Sequence, residues 1–520
     1  MKTSGFLGID AGTQGLSVIF TDQQLQILGT GEGTYDMVPG LGRECYEQLP
    51  TDWERALGQA MSRLRENLSS QRVELDVQAI GISGQMHGEV LADAAGVSLG
   101  SARLWCDGRN QAEGDELTAR LDVKMPKRIT SARWLWTVRQ QPERAAAVAH
   151  LTTPAGWLAY RLTGRWNLGI GDAAGMFPID QQTQDYDQRL LDSFDELVAR
   201  SSSGRSPIRP LRELLPRVRR AGEDGGVLDA HGAALLQLPA AIPVAPAEGD
   251  QPAALAGSLI GRAGMVSMSF GTSVCANSVG DRPFHGVSQA IDHFCAPDGK
   301  PINMVYLRNG TTFMNAVIEM FGAVTAGGRG QAFELVMPQL LAVPADCGGL
   351  LALPFMDDEP GLGVDCGGTA LVVGLNGANA TPGHVAKAAL LSTIFNLRLG
   401  SEVLAEQGFP RTQIILSGGL TKTPELGQIV ADAFATPVSI LAGAHEGTAW
   451  GAALLAKFRH QHRAGQATAW DDFLAAHAAG APRQFAPVAE TVQAYDRLYA
   501  RYRRLVALQG QVSQAVDDRA

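Results

Sequence analysis

Phe6-Leu7-Gly8-Ile9-Asp10-Ala11-Gly12-Thr13-Gln14-Gly15-Leu16-Ser17-Val18-Ile19-Phe20 decides the fold class, because the chain repeats its plan. The second copy is Met265-Val266-Ser267-Met268-Ser269-Phe270-Gly271-Thr272-Ser273-Val274-Cys275-Ala276-Asn277-Ser278-Val279. Each is a β-rich run, a Gly-Thr turn and a second β-rich run. The Gly-Thr pairs begin at 12 and 271, an offset of 259 residues in a chain of 520. A repeat at half the chain length predicts two related domains. Small residues in each turn let the backbone approach an anion closely, so each turn is a phosphate cradle. Two such cradles across a cleft suit a nucleoside triphosphate.

Around these hairpins the pattern alternates strands with helices, which predicts α/β domains. In the first half, Leu25–Leu28 reads as a third strand. Thr51-Asp52-Trp53-Glu54 reads as a capping box opening a helix to about Leu68. Val77–Ile82 is an apolar run suited to a buried strand. Residues 130–165 read as mainly helical and 199–210 as a surface loop. Ala241–Val244 is strand-like and Ala253–Ile260 helix-like. In the second half, a helix is expected over about 384–406, stopped by Gly408 and Pro410. A strand follows at Thr412–Leu416. Thr423 is placed to cap the next helix with Pro424 at its first position. Val438–Leu441 reads as a strand and Glu446–Phe458 as a helix.

Composition narrows the class. Hydrophobic residues make up 45% and charged residues 18% of the chain, as in ordinary globular proteins. The net charge of −10 argues against a nucleic-acid binder. The one dense basic segment, Arg209, Arg212, Arg217, Arg219 and Arg220, reads as solvated surface. The cysteines are scattered without metal-ligand spacing, which fits reduced thiols in a cytoplasmic protein. No apolar run of membrane-spanning length and no signal-peptide pattern is present, so no membrane partner is expected.

Five constellations carry chemistry. Asp10 stands just before the first Gly-Thr turn, where a carboxylate can hold Mg²⁺ through water while the turn binds phosphate oxygens. Asp250, in Glu248-Gly249-Asp250-Gln251, lies at a strand-to-helix turn just before the second hairpin. It either caps the helix or accepts a proton from a substrate hydroxyl attacking a phosphoryl group. Gln85-Met86-His87-Gly88 follows a buried strand, at the edge where α/β proteins bind ligands. Its donors suit a polyol. Trp105-Cys106-Asp107-Gly108-Arg109 offers an aromatic wall, a carboxylate and a guanidinium, or else a plain surface turn. In Ser417-Gly418-Gly419 the glycines let a base or ribose approach the backbone.

With these motifs in place, the chain resembles the FGGY family of carbohydrate kinases from Gly8 to about Leu455. Gly81–Gly88, Trp105–Arg109 and Gly171-Asp172-Ala173-Ala174-Gly175 look most like the xylulokinase and sedoheptulokinase branch. Ser269–Ser273, Ser417-Gly418-Gly419 and Glu446–Ala453 look like the second phosphate loop, the adenosine glycines and the closing helix. The resemblance implies two actin-like, ribonuclease H-like α/β domains with a catalytic cleft between them. It places the N-terminal domain at 1–255, the C-terminal domain at 256–500 and a tail at 501–520. It implies Asp250 as catalytic base and Asp10 as the Mg²⁺ residue. Met86, His87, Trp105, Asp107, Arg109 and Gln251 are then the sugar-site residues. Gly12, Thr13, Gln14, Gly271, Thr272, Ser273, Gly418, Gly419 and Thr423 are the ATP residues. A cytoplasmic homodimer is the implied assembly.

Three departures bear on the substrate. Gln251 follows the catalytic Asp, as in glycerol kinases, where xylulokinases usually carry Asn. No arginine follows Leu353-Pro354-Phe355, and Cys106 replaces an Asn. The expected reaction is ATP-dependent phosphorylation of a small ketose, D-xylulose first, with sedoheptulose, ribulose, a polyol or glycerol as alternatives. Rival classes are a silent ATP-binding switch and a sugar sensor without activity.

Overall fold

The computed structural model describes residues 2–201, 207–324, 328–441, 447–466, 468–478 and 482–516. In chain order, the elements used below are β1 (Lys2–Ala11), β2 (Gly15–Asp22), β3 (Ile27–Thr34), α1 (Pro50–Ser70), β4 (Glu74–Gly84), α2 (Thr130–Gln140), α3 (Pro154–Thr163), β5 (Glu248–Gly249) and α4 (Asp250–Gly257). There follow β6 (Met265–Phe270), β7 (Val274–Val279), β8 (Ile291–Cys295), β9 (Pro301–Leu307), α5 (Pro382–Gly400), β10 (Gln413–Gly418), α6 (Leu426–Phe434), β11 (Val438–Ile440), α7 (Gly447–Arg463) and β12 (Arg483–Phe485). They form two compact units. The first takes Met1–Gly261, His293–Ile302 and His445–Ala478, and the second the remaining segments.

The sheet of the first unit runs β5-β4-β1-β2-β3. β1 pairs antiparallel with β2 and parallel with β4. Side chains alternate across it, as a pleat requires. Leu7, Ile9, Val18 and Phe20 join the core that includes Trp53, Leu57, Met61 and Leu64 of α1. Phe6, Ile19 and Ala79 join Ala449, Ala453 and Leu454 of α7. Glycines let both helices sit close. A Cβ on Gly8 would lie 2.0 Å from the Ala449 carbonyl, and one on Gly81 1.8 Å from that of Ala452. α7 also closes on α4, where a Cβ on Gly451 would lie 1.9 Å from the Ala253 carbonyl.

Local details depart from the sequence reading. β3 starts at Ile27 because Leu25 takes φ 66° in the turn before it. α1 starts at Pro50 with Leu49 as cap and no side-chain cap bond, so the box at Thr51 does not form. Proline at the first position presets the helical φ and has no N–H to satisfy. Ala241–Val244 is not a strand: Pro243 and Val244 make isolated bridges only, and the paired strand is Glu248–Gly249. Pro243 and Pro246 cannot donate to a ladder, which delays pairing. α4 then begins at Asp250, three residues before the expected start. Residues 199–201 end the helix Gln188–Ser201, whose buried Leu190, Leu191, Phe194, Leu197 and Val198 form one stripe. Residues 202–206 of the expected loop lie outside the described residues.

In the second unit the sheet order is β8-β9-β7-β6-β10-β11-β12. β6 pairs antiparallel with β7 and parallel with β10. α5 is apolar and long enough, with its continuation to Glu406, to cross a membrane by composition, but it is a core helix buried through most of its length. It breaks at Ser401 before a short second helix, Glu402–Glu406. Thr423 does not cap α6. Gly419–Lys422 forms a 3₁₀ turn, Glu425 occupies the cap position, and the Thr423 carbonyl accepts from Leu426. α7 is described from Gly447; Glu446 lies outside the described residues.

Candidate active site

β1 ends at Asp10-Ala11, beside the ends of β4 and α7. The Asp10 carboxylate accepts from the Ser83 hydroxyl at 2.7 Å and from the Thr448 hydroxyl. Burial pushes its pKa up, against these two hydrogen bonds. A buried carboxylate whose hydrogen-bond donors are neutral hydroxyls fits a water-shelled Mg²⁺, which needs only one or two protein carboxylates. Among the described residues no group of three or more His, Cys, Asp or Glu side chains forms a metal-ligand set. Asp10 is the residue that would hold the ion, which would supply charge neutralisation to phosphate oxygens when bound.

The Gly12–Gly15 turn is held by its carbonyls. The Tyr35 hydroxyl lies 2.5 Å from the Gly12 carbonyl and 3.0 Å from that of Gly15. Gln48 Nε2 donates to the Thr13 carbonyl at 2.7 Å. The Thr13 hydroxyl donates to Gln85 Oε1 at 3.2 Å and accepts from Trp105 Nε1 at 3.0 Å. Gln85 in turn donates to Gln48 Oε1 at 2.9 Å, which also accepts from Trp53. The backbone N–H groups of Thr13 and Gln14 find no acceptor among the described residues. This is the arrangement an anion cradle needs: carbonyls tied back, N–H groups outward.

β4 delivers the Gln85–Gly88 turn. His87 has φ 64°, a left-handed conformation that a histidine adopts at a cost. Its Nδ1 lies 2.9 Å from the Gly175 carbonyl. A carbonyl only accepts, so Nδ1 carries the proton and Nε2 is left as an acceptor. Burial, then the charges of Arg128 and Arg133, push the imidazole pKa down to about 3, so the ring is neutral. Met86 packs behind it. Gly175 and Gly249 make room, since a Cβ on either would strike Met86 at 2.9 and 2.2 Å.

Asp250 is the first residue of α4, with Gly249 in the cap position, so capping is not its role. Gly249, just before it, pairs with Gly84 of β4, and a Cβ there would meet Met86, so Asp250 stands beside the His87 turn. Burial pushes its pKa up to about 7, and the Asp10 charge adds to the push. Gln251 sits half-buried next to it. Asp172 and Glu248, both fully buried, lie behind. Asp172 Oδ2 accepts from the Thr153 hydroxyl at 2.6 Å, and Glu248 Oε2 accepts from the Asp172 N–H at 2.9 Å. Asp172 Oδ1 has no partner among the described residues. Burial pushes Asp172 up to about 8 and Glu248 well above the carboxylate range.

The Trp105–Arg109 segment divides its residues. Trp105 is exposed and reaches Thr13. Asp107 is fully buried; it accepts from the Tyr46 N–H and from Arg109 Nε at 2.9 Å each. Burial opposes its charge, yet the Arg109 guanidinium and backbone N–H groups hold it below the usual carboxylate range. Arg109 also binds Glu47 at 2.5 Å. The Asp107–Arg109–Glu47 triad is thus engaged within itself.

In the second unit the Gly271–Ser273 turn repeats the design. Thr311 donates through N–H and hydroxyl to the Gly271 carbonyl, at 2.7 and 2.9 Å, and the Gly310 N–H donates to the Thr272 carbonyl at 3.0 Å. The Thr272 and Ser273 N–H groups find no acceptor among the described residues. Glu359, just past the segment that lacks the arginine, holds Asn309 through its N–H and side chain at 2.9 and 3.0 Å. Gly418 has φ 77°, and a Cβ there would meet the Phe270 carbonyl at 2.8 Å, so only glycine fits against the end of β6.

Sequence reasoning passed over Ser83, Thr448, Gln48, Tyr35, Thr153 and Glu248. Ser83, Glu248 and Thr448 stood inside quoted motifs, which was the available signal. Gln48, Tyr35 and Thr153 carry none, because their roles arise from contacts distant in the chain.

Comparison with known proteins places the chain. The N-terminal domain of the FGGY family of carbohydrate kinases matches residues 6–257, and the C-terminal domain matches residues 266–459. A xylulose kinase of Haemophilus influenzae is 27% identical over 452 residues, covering 84% of this chain and 87% of that protein. A glycerol kinase of Trichlorobacter lovleyi is 26% identical over 480 residues, covering 87% and 89%. The structure of a xylulose kinase from Rhodospirillum rubrum superposes with a TM-score of 0.81 at 21% identity, over 98% of this chain and 99% of that one. The expected fold, two actin-like and ribonuclease H-like domains, is therefore the one present. The chain belongs to the FGGY family of carbohydrate kinases and is a phosphotransferase that moves a phosphoryl group from ATP to a sugar.

Proposed function

We propose that the sugar is a small ketose, D-xylulose first, phosphorylated on a terminal hydroxyl. Asp250 takes the hydroxyl proton as that oxygen attacks the γ-phosphoryl group. The observation that carries this reading is the Asp250 carboxylate. It stands beside the His87 turn, where Gly249 pairs with Gly84, and burial pushes its pKa up to about 7. A base with that pKa is charged at working pH and can still hold a proton. The neutral His87 ring offers Nε2 to a sugar hydroxyl, and Met86, Trp105 and Gln251 shape the pocket. Asp107 and Arg109 then act by holding the Trp105 segment. Asp10 anchors Mg²⁺, while Gly12, Thr13, Gln14, Gly271, Thr272 and Ser273 bind phosphate. Gly418, Gly419 and Thr423 serve the nucleoside. In this reading residues 1–255 carry the sugar site and first phosphate turn, 256–500 the second turn and nucleoside site, and 501–520 a tail.

Sugar-dependent ADP release with Mg-ATP tests the proposal across D-xylulose, D-ribulose, L-ribulose, L-xylulose, sedoheptulose, xylitol, ribitol, gluconate and glycerol. The expected result is a large rate with one ketose. Gln251, shared by resemblance with glycerol kinases, makes glycerol the strongest competitor. A glycerol rate above every ketose overturns the ketose assignment.

A further inference from the structure

Behind the Gln85–Gly88 turn stands a guanidinium with an unusual set of partners. Arg133 of α2 is fully buried. Its Nε donates to the Leu104 carbonyl at 2.9 Å and its Nη2 to the Trp105 carbonyl at 2.7 Å. Its Nη1 donates to the carbonyls of His87 at 3.1 Å, Ile129 at 3.4 Å and Arg128. Every acceptor recorded for it is a backbone carbonyl. A buried cation is tolerated only when its donors are satisfied. Here that requirement binds three stretches of chain to one rigid fork: the His87 turn, the Leu104-Trp105 segment and the entry to α2.

Two features show that the grip has something to hold. His87 sits in a left-handed conformation, at φ 64°, which persists only where surroundings enforce it. Trp105 is 43% exposed and its indole N–H is tied to Thr13, so where that bond reaches depends on how its backbone is held. A second layer steadies Arg133 in turn. Arg103 Nη2 donates to the Arg133 carbonyl at 2.6 Å and pairs with Glu89 at 2.7 Å, with its guanidinium 4.3 Å from the Trp136 ring centre.

We propose that Arg133 is a positioning residue for sugar binding. Its fork holds the His87 turn and the Trp105 segment at the spacing the sugar requires, without touching sugar or ATP. The inference rests on the reading of the Gln85–Gly88 turn as the sugar site. Lysine presents its donors from a single point and cannot span the His87 and Trp105 carbonyls as the planar fork does.

The test is the kinetics of Arg133→Lys on the responding sugar, beside Arg133→Gln, which avoids burying an ammonium, and Arg139→Lys as a control on the same helix, where Arg139 pairs with Glu113 and Glu116. The expected result for Arg133→Lys is a sugar KM raised about tenfold or more, since small displacements at a binding site are costly. The ATP KM should stay close to that of the parent, while the melting temperature falls, since buried carbonyls lose their donor. Arg133→Gln should show the same split with a larger sugar KM, and it decides the matter if the lysine variant does not fold. Equal changes in the two KM values would overturn the inference. So would an unchanged sugar KM, or the same split in Arg139→Lys. A parent enzyme that responds to no sugar in the panel would overturn the reading of the turn instead, a result seen before any variant is made.

Discussion

At the residue scale, the site is an exercise in keeping acids apart. Asp250, at about 7, is protonated below that pH and cannot accept a hydroxyl proton. The kcat/KM for sugar should therefore fall about tenfold per unit as pH drops below 7, reporting the free enzyme. His87, neutral down to about 3, should add no limb of its own between pH 5 and 8. Asp250→Asn should lower kcat by about 10³-fold or more while ATP affinity, read by calorimetry, is kept. Unchanged turnover would remove Asp250 from the chemistry. Asp172 makes a different prediction. Its folded pKa of about 8 stands above the ordinary 3.8, so the folded state holds more protons between those values. Its contribution to stability is full in acid and is lost as pH rises through about 8. Asp172→Asn keeps the shape without the charge. The melting temperature of the parent should decline from pH 5 to 9 more than that of the variant; parallel curves would show that Asp172 does not titrate there.

At the element scale, glycines decide how closely helices approach the first sheet. Gly81→Ala places a methyl 1.8 Å from the Ala452 carbonyl, in backbone that cannot swing aside. It should cost about 1–3 kcal/mol, read as a clear drop in the denaturation midpoint. Gly510→Ala, where a Cβ meets nothing within 4 Å, should be neutral or slightly stabilising. An indifferent Gly81→Ala would mean that α7 does not sit against β4 as described. The same scale shows what could be read in the sequence. Both Gly-Thr hairpins were legible because strand alternation and turn chemistry are local. The Ala241–Val244 strand failed because Pro243 and Pro246 remove ladder donors while leaving the apolar pattern intact. The caps at Thr51 and Thr423 failed because Pro50, and the 3₁₀ turn at Gly419–Lys422, shifted the helix starts.

At the scale of the whole molecule, family and fold were legible because their motifs are short and contiguous. The support of the site was not. Arg133 meets His87, Leu104 and Trp105 only after folding, and Thr448 reaches Asp10 across 438 positions of chain. That long reach has a consequence for synthesis. β1 and β4 emerge from the ribosome early, yet the helix that covers their Phe6, Gly8, Ala79 and Gly81 face is translated last among the first unit's main elements. At about 5–20 residues per second the nascent chain carries that apolar strip uncovered for tens of seconds. Stalled or prematurely terminated chains ending before Gly447 should be ready clients for holding chaperones, and release from them should coincide with the passage of α7 out of the exit tunnel.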